Sequence, residues 1–126
     1  MAQTFRSQVT AQSSQAGTAD TRVTAGTTVL NSESAGNADG AYEVLVELNV
    51  TSAPSTATYA KLYVEESNDG TNYATPKVVG VFLGIGTSAG RYSVRLHNVS
   101  PKMRLTWEPI GYNMTATMYA RPSYPA

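Results

Sequence analysis

The sequence predicts an all-β fold: an antiparallel β-sandwich of about eight strands, for which the jelly roll is one available topology. Three observations predict it. Apolar and polar residues alternate with a period of two through most of the chain, which is typical of strands buried on one face. Short clusters of Gly, Pro, Asn, Asp and Ser separate these runs at fairly regular intervals. No stretch shows the 3.6-residue apolar periodicity of a helix.

The first 20 residues are predicted to form an extended N-terminal arm or an edge strand. After the initial methionine, Phe5 and Val9 are their large apolar side chains, so by composition the segment should be disordered on its own. We expect it to be ordered where its own sheet or another subunit holds it. Residues 21–121 are predicted to form the β-sandwich domain. Residues 122–126 contain two prolines and are expected to be a C-terminal tail outside the strand ladders.

Three strands are predicted in the first half of the sandwich domain. The first lies in residues 21–32 and is interrupted by Gly26, and the turn cluster at 35–40 follows it. The second and third strands lie in residues 42–51 and 58–67, and both alternate regularly between apolar and polar residues. Both are therefore predicted to bury one face against the other sheet.

The strongest turn signal in the chain is Ser-Asn-Asp-Gly-Thr-Asn at residues 67–72. The strand after it, in residues 73–83, carries apolar residues on both faces. We therefore expect this strand to be covered on both sides or to lie at a contact. Residues 84–90 contain three glycines and are predicted to form a flexible hairpin loop.

The last third of the chain alternates most regularly, in residues 91–97, 102–108 and 113–121. Tyr92 and Trp107 fall on the apolar faces of these runs and are predicted to lie in the core. The links between the runs are short and rich in Pro, Gly, Asn and Ser. Such links predict that the three strands are antiparallel neighbours.

The 9 basic and 9 acidic residues balance, so the sequence gives no indication of nucleic acid or an anionic membrane as a partner. The charges are unevenly placed, with 3 basic and 8 acidic residues in 1–70 against 6 and 1 in 71–126. This distribution predicts charge pairs between early and late strands across a sheet. The alternative is that an acidic flank of one copy meets a basic flank of the next in a head-to-tail ring.

Neither a membrane span nor a secretion signal is expected, because no apolar stretch approaches about 20 residues and the first 20 residues lack an apolar core. We expect a soluble chain that is made and kept without secretion. No cysteine is present, which removes disulfides and thiol chemistry from consideration.

No catalytic, metal-binding or cofactor-binding motif is evident, and the chain is not predicted to be an enzyme. His97, the sole histidine, falls on a polar face with basic neighbours and is expected to be exposed to solvent. The Asx-rich sequence around Asp69 lacks the spacing and the terminal Glu of a calcium loop, so it is interpreted as a turn. The glycines of residues 80–90 have no following Gly-Lys-Ser/Thr and do not form a phosphate loop.

Tyrosine and arginine side chains on the polar faces of the strands are predicted to bind a protein partner, because this composition is typical of protein–protein hot spots. A stacking platform for sugar and an ordinary amphipathic surface are the alternatives. With two residues of the N-terminal arm, the candidate partner-binding residues are Phe5, Arg6, Tyr59, Tyr63, Arg91, Arg95, Arg104, Tyr119 and Arg121.

The element LYVEESNDGTNY at residues 62–73 joins two strands through the Asn-Asp-Gly turn. Together with the runs at 44–51, 91–96 and 103–107, it resembles the decoration, or cement, proteins of tailed bacteriophages. The resemblance covers residues 42–121. It implies a non-enzymatic structural virion protein, often a homotrimer, that binds the major capsid protein on the outside of the assembled capsid and stabilises the shell.

Carbohydrate-binding and adhesive modules contain a similar strand–turn–strand element. A carbohydrate-binding or adhesive β-sandwich module of a phage tail or fibre is therefore the alternative, as is another non-enzymatic head or tail structural protein.

Overall fold

The computed structural model describes residues 3–5, 7–31, 43–97 and 100–125. These residues form strands and no helix, so the all-β prediction is confirmed. No helix long and apolar enough to cross a membrane occurs in this part of the chain. The strands are β1 (Gln3–Phe5), β2 (Val9–Gly17), β3 (Val29–Asn31), β4 (Glu43–Ser52), β5 (Thr58–Ser67), β6 (Lys77–Ile85), β7 (Gly90–His97), β8 (Lys102–Pro109) and β9 (Met114–Pro125).

Two antiparallel sheets pack face to face. Sheet A has the order β1-β9-β4-β7, and β2 pairs with the earlier part of β9 on the same side as β1. Sheet B has the order β3-β8-β5-β6. The order β2-β9-β4-β7 opposite β3-β8-β5-β6 is that of a double Greek key, and the sandwich is therefore a jelly roll.

The prediction that the last three strands are neighbours within one sheet is wrong. β7 and β9 lie on either side of β4 in sheet A, whereas β8 lies between β3 and β5 in sheet B. Their short links therefore cross the gap of about 10 Å between the sheets instead of turning within one sheet. The alternation of residues indicates which face of a strand is buried. That face is the same whether a strand lies beside its neighbour in the sequence or in the opposite sheet, so the alternation does not distinguish the two topologies.

The core lies between the two sheets and is formed by the inward residues of the alternating runs. Trp107 is fully buried and packs closely against Gly17, where an added Cβ would lie 2.6 Å from the Trp107 Cη2 atom. Tyr92 is partly buried against the same core. Ile85, which the sequence places in a loop, is fully buried because β6 extends to it. The largest fully buried side chains are Trp107, Phe82, Leu48, Leu62, Ile85, Met103, Leu105, Met118, Gln12, Val44, Val46 and Val50.

The first and the last described strands, β1 and β9, both belong to sheet A. β1 and β2 lie beside β9 at one edge of this sheet. The sequence predicts that the last strand ends at Arg121 and that a tail follows. This prediction is wrong, because β9 continues through Pro125. A proline removes one ladder hydrogen bond without preventing an extended backbone. Ser123, between the two prolines, is buried, and its hydroxyl donates to the Glu43 carbonyl oxygen at 3.1 Å.

The segment between β2 and β3 crosses from sheet A to sheet B. The strand predicted in residues 21–32 is confined to β3, and before it Val23 and Thr27 form isolated bridges to Trp107 and Gln12. The buried Gln12 side chain fastens the crossover, since its Nε2 donates to the Val23 carbonyl oxygen at 2.8 Å. The predicted turn cluster at 35–40 lies outside the described residues.

The predicted turn at residues 67–72 is confirmed. The Ser67 hydroxyl oxygen accepts the Gly70 N–H at 2.8 Å, and Gly70 has a φ of 77°. The Asp69 carboxylate accepts the backbone N–H groups of Thr71 and Asn72, both at 2.8 Å. These hydrogen bonds lower the pKa of Asp69 well below its ordinary value of 3.8, and the one from the Asn72 N–H has the largest effect.

Replacing Asp69 with alanine is therefore expected to destabilise the protein in a pH-dependent way. A carboxyl group whose pKa is lower in the folded state than in the unfolded state stabilises the fold. The stabilisation is complete at a pH above the unfolded-state pKa and is lost as the pH falls through the folded-state pKa. The difference in unfolding free energy between wild type and Asp69→Ala should be greatest near neutral pH and shrink below about pH 4. Urea denaturation of both proteins over this range tests it. A difference that is constant with pH would contradict the role given to the carboxylate.

Candidate interaction surfaces

The predicted partner-binding residues lie on opposite outer faces of the sandwich. The outer face of sheet A carries four of them: Arg91, Arg95, Tyr119 and Arg121. The outer face of sheet B carries three: Tyr59, Tyr63 and Arg104. Phe5 lies in β1, opposite Ser123. Arg6 lies outside the described residues. The structure therefore does not bring these residues together into one tyrosine–arginine surface.

Ion pairs cross the outer face of sheet A. The Arg95 guanidinium donates to the Glu43 carboxylate at 2.6 Å, and Arg91 donates to Glu47 at 3.2 Å. Each of these pairs joins an early acid on β4 to a late base on β7. The exposed Arg91–Glu47 pair contributes at most about 1 kcal/mol, whereas Glu43 of the other pair is buried. Both pairs neutralise charges of this face within one chain.

The uneven charge distribution is explained by these contacts. Four of the five described ion pairs join an acidic residue of 1–70 to a basic residue of 71–126: Lys77–Glu66, Arg91–Glu47, Arg95–Glu43 and Arg104–Glu65. The prediction that early and late strands pair their charges is confirmed. The head-to-tail alternative would need many of the same groups, which are already paired within the chain.

A polar network occupies much of the outer face of sheet B. The Tyr63 hydroxyl donates to the Glu108 carboxylate at 2.7 Å, and this hydrogen bond raises the pKa of Tyr63 above its ordinary value. The Arg104 guanidinium carbon lies 3.6 Å from the centre of the Tyr73 ring. Both candidate residues therefore have partners within the chain, and the Tyr73 ring is covered on one face by a guanidinium.

An apolar strip runs along β6 beside this network. On β6, Leu83 is 74% exposed and Val78 is 47% exposed, and Val81 between them is partly exposed. Tyr59 on β5, 38% exposed, lies opposite the Leu83 end of β6. We call these four residues the β6 strip. Adjacent exposed apolar side chains of this kind are typical of a protein-binding surface.

β6 is also the edge strand of sheet B. Its pairing with β5 is interrupted at two places, and β6 has one extra residue at each: Val79 has no partner, and Leu83 and Gly84 lie opposite Tyr59 alone. Bulges of this kind twist an edge strand and hinder the addition of a further strand. The β6 strip is therefore suited to contact through its side chains rather than through continued strand pairing.

Comparison with solved structures finds the same type of fold in a viral protein. A chain in the structure of infectious bursal disease virus, Gx strain, superposes with a TM-score of 0.53 and 10% sequence identity over 98% of the present chain. The present chain spans 32% of the length of that viral chain. At this identity the likeness is one of fold. No protein-family model matches the sequence, and no curated protein matches it.

Val78 and Leu83 are not among the candidate residues that the sequence predicts. The signal that could have found them was the presence of apolar residues on both faces of the strand in 73–83. Of the two explanations given for that pattern, the structure favours a contact, because no described segment of the chain covers the outer face of β6.

His97, metal-ligating side chains and the cavity between the sheets are the features that could support chemistry. His97 is exposed at the end of β7, opposite Glu43 of β4. The described residues contain no group of three or more His, Cys, Asp or Glu side chains arranged to hold a metal ion. A cavity of about 360 Å³ opens between the sheets, with an apolar floor that includes Val64, Leu96 and Met103.

Proposed function

We propose that this chain is a non-enzymatic structural protein of a virus particle. It binds the outside of the assembled capsid and stabilises the capsid by bridging neighbouring subunits of the major capsid protein. The observation that carries the proposal is the uncovered β6 strip on a jelly-roll sandwich, a fold that the chain shares with a viral protein. The resemblance of residues 42–121 to phage decoration proteins supports the same function.

The β6 strip supports binding to protein rather than to sugar. Leu83 and two valines offer aliphatic surface, which gains free energy when a partner removes it from water, at about 25 cal/mol per Å². Sugar binding relies on free aromatic ring faces, whereas Arg22 and Arg104 approach the rings of Tyr63 and Tyr73. We therefore place the capsid contact on the β6 strip.

Bridging stabilises a capsid by mass action. A protein that binds two adjacent subunits at once binds the assembled shell more tightly than the free subunits, so it shifts the equilibrium toward the shell. A homotrimer would add further attachment points at high effective concentration. In this proposal, Phe5 and Arg6 near the N-terminus, and the remaining Tyr and Arg candidates, contact sister copies or the rim of the capsid interface.

The proposal is tested on virus particles from cells infected with the virus that encodes this chain. After density-gradient purification, we expect mass spectrometry to find the chain with the major capsid protein at a fixed ratio. Particles lacking the chain should lose their DNA or disassemble at a lower temperature. If the chain is absent from the particles, the proposal is wrong. If it is present but the purified chain binds glycans on an array and does not bind capsids that lack it, the adhesive alternative is favoured.

A further inference from the structure

A second cavity, of about 420 Å³, lies on the outer face of sheet B, away from the β6 strip. One wall is the crossover between β2 and β3, and the opposite wall consists of a cross-strand pair from β5 and β8. Every side chain that lines the cavity is polar or charged. The lining residues are Arg22, Thr24, Gly26, Thr27, Glu65 and Arg104.

Positive charge exceeds negative charge in this cavity. Arg22 donates to one Glu65 carboxylate oxygen at 3.0 Å, and Arg104 donates to the other at 2.6 Å. Among the residues that line the cavity, two guanidinium groups thus share one carboxylate; the next carboxylate, that of Glu108, accepts the hydrogen bond of Tyr63. The Arg22 and Arg104 side chains are 29% and 35% exposed, against 59% and 66% for the two paired arginines of sheet A, so solvent screens their charge less.

The same cavity holds more hydrogen-bond donors than acceptors. A guanidinium has five N–H groups, and Arg22 donates from Nη1 alone to Glu65 at 3.0 Å and to the Thr106 hydroxyl oxygen at 3.1 Å. Arg104 donates to Glu65, and its Nε is shielded from solvent with no acceptor among the described residues. Unused donors beside this excess of positive charge favour an acceptor-rich, negatively charged ligand.

Two tyrosine rings hold the guanidinium groups in place. Arg104 stacks 3.6 Å from the centre of the Tyr73 ring, and Arg22 lies 5.9 Å from that of Tyr63. Each arginine is therefore fixed by a carboxylate and a ring, and less entropy is lost when it binds a ligand. The ring faces that could stack on a neutral sugar are partly occupied by these contacts.

We propose that this cavity is a binding site for a small oxyanion, such as sulfate or a carboxylate. The anion oxygens accept the remaining N–H groups of Arg22 and Arg104 in the fork geometry that guanidinium groups offer to planar or tetrahedral oxyanions. The Thr24 hydroxyl lines the same cavity and is available as a further donor. The cavity includes no residue of the β6 strip, on which the capsid contact is placed.

The test is titration of the uniformly ¹⁵N-labelled protein with sodium sulfate, and separately with malonate, at constant ionic strength maintained by chloride. We expect saturable amide shifts at residues 22–27 and at Arg104, with a dissociation constant on the order of 1 mM. The tighter of the two probes identifies the preferred class of oxyanion. Shifts that do not saturate, or that chloride reproduces, would overturn the proposal.

Two variants separate a binding site from a structural ion-pair cluster. Arg104→Gln should weaken sulfate binding at least about tenfold. Arg91→Gln is the matched control, because it removes the same charge and one glutamate pair, but from sheet A. It should leave the affinity within about twofold. If Arg104→Gln does not fold, Arg22→Gln serves as the same test. Equal weakening by the control and by either cavity variant would contradict the assignment.

Discussion

Replacing Leu83 or Val78 with aspartate is expected to reduce binding to capsids by roughly 30- to 1000-fold, the effect of losing about 2–4 kcal/mol at an interface hot spot. Each substitution places a charge in a contact that otherwise buries aliphatic surface. Because Leu83 is 74% exposed and Val78 is 47% exposed in the free chain, the unfolding free energy should change by no more than about 0.5 kcal/mol. Binding is measured by sedimentation of purified variants with particles that lack the chain.

Val29→Asp is the matched control for Val78→Asp. Val29 is 45% exposed and lies on β3, the opposite edge strand of the same sheet. The two substitutions therefore change the same residue type, by the same charge, at nearly equal exposure. We expect Val29→Asp to bind capsids like the wild type. Equal losses for both variants would show that the binding surface is not the β6 strip.

Replacing Trp107 with alanine should destabilise the fold more than any surface substitution. The indole is fully buried between the sheets and fills the space that Gly17 leaves open. Truncating a buried tryptophan costs about 3–5 kcal/mol, a large part of the roughly 5–15 kcal/mol that a whole domain has available. Urea denaturation should show a midpoint at least about 1 M lower than that of the wild type.

Trp107→Phe separates the packing contribution from the polar one. The Trp107 Nε1–H is buried with no acceptor among the described residues, and such a donor costs about 1–3 kcal/mol. Phenylalanine removes this donor while keeping most of the ring volume. We expect it to cost clearly less than alanine. A cost equal to that of alanine would mean that Nε1–H makes a stabilising hydrogen bond after all.

The fold class could be predicted because the period of two is a local property of each strand. The apolar residues that the alternation predicts to be inward are buried in the structure. This holds for Val44, Val46, Leu48 and Val50 on β4 and for Ala60, Leu62 and Val64 on β5. The topology could not be predicted in the same way. Whether β8 lies beside β7 or opposite it depends on packing between sheets, and both arrangements bury the same residues of β8.

The candidate surface was predictable only in part. Tyr59 was selected because of its residue type, and it does lie beside the exposed end of β6. Val78 and Leu83 were not selected, because an apolar residue is usually buried and only its position on an edge strand exposes it. Arg91, Arg95 and Arg104 are exposed or partly exposed as expected, but their ion pairs depend on strand order, which the sequence pattern does not contain.

The polar cavity depends on contacts between residues far apart in sequence. Arg22 reaches Glu65 across 43 positions because the crossover after β2 is fastened to β8 by the Val23–Trp107 bridge. No local pattern marks Arg22 as different from the other arginines. Its role could be inferred only after the jelly-roll topology placed that crossover against the β5–β8 pair.

A reconstruction of the virus particle by electron cryomicroscopy tests the central claim most directly. The claim is that the chain joins surfaces, and that β6 is the surface through which it binds the capsid. We expect density for the jelly roll on the outside of the shell, with Leu83 and Val78 buried against the major capsid protein. Density in which β6 faces solvent, or particles without this chain, would contradict the account.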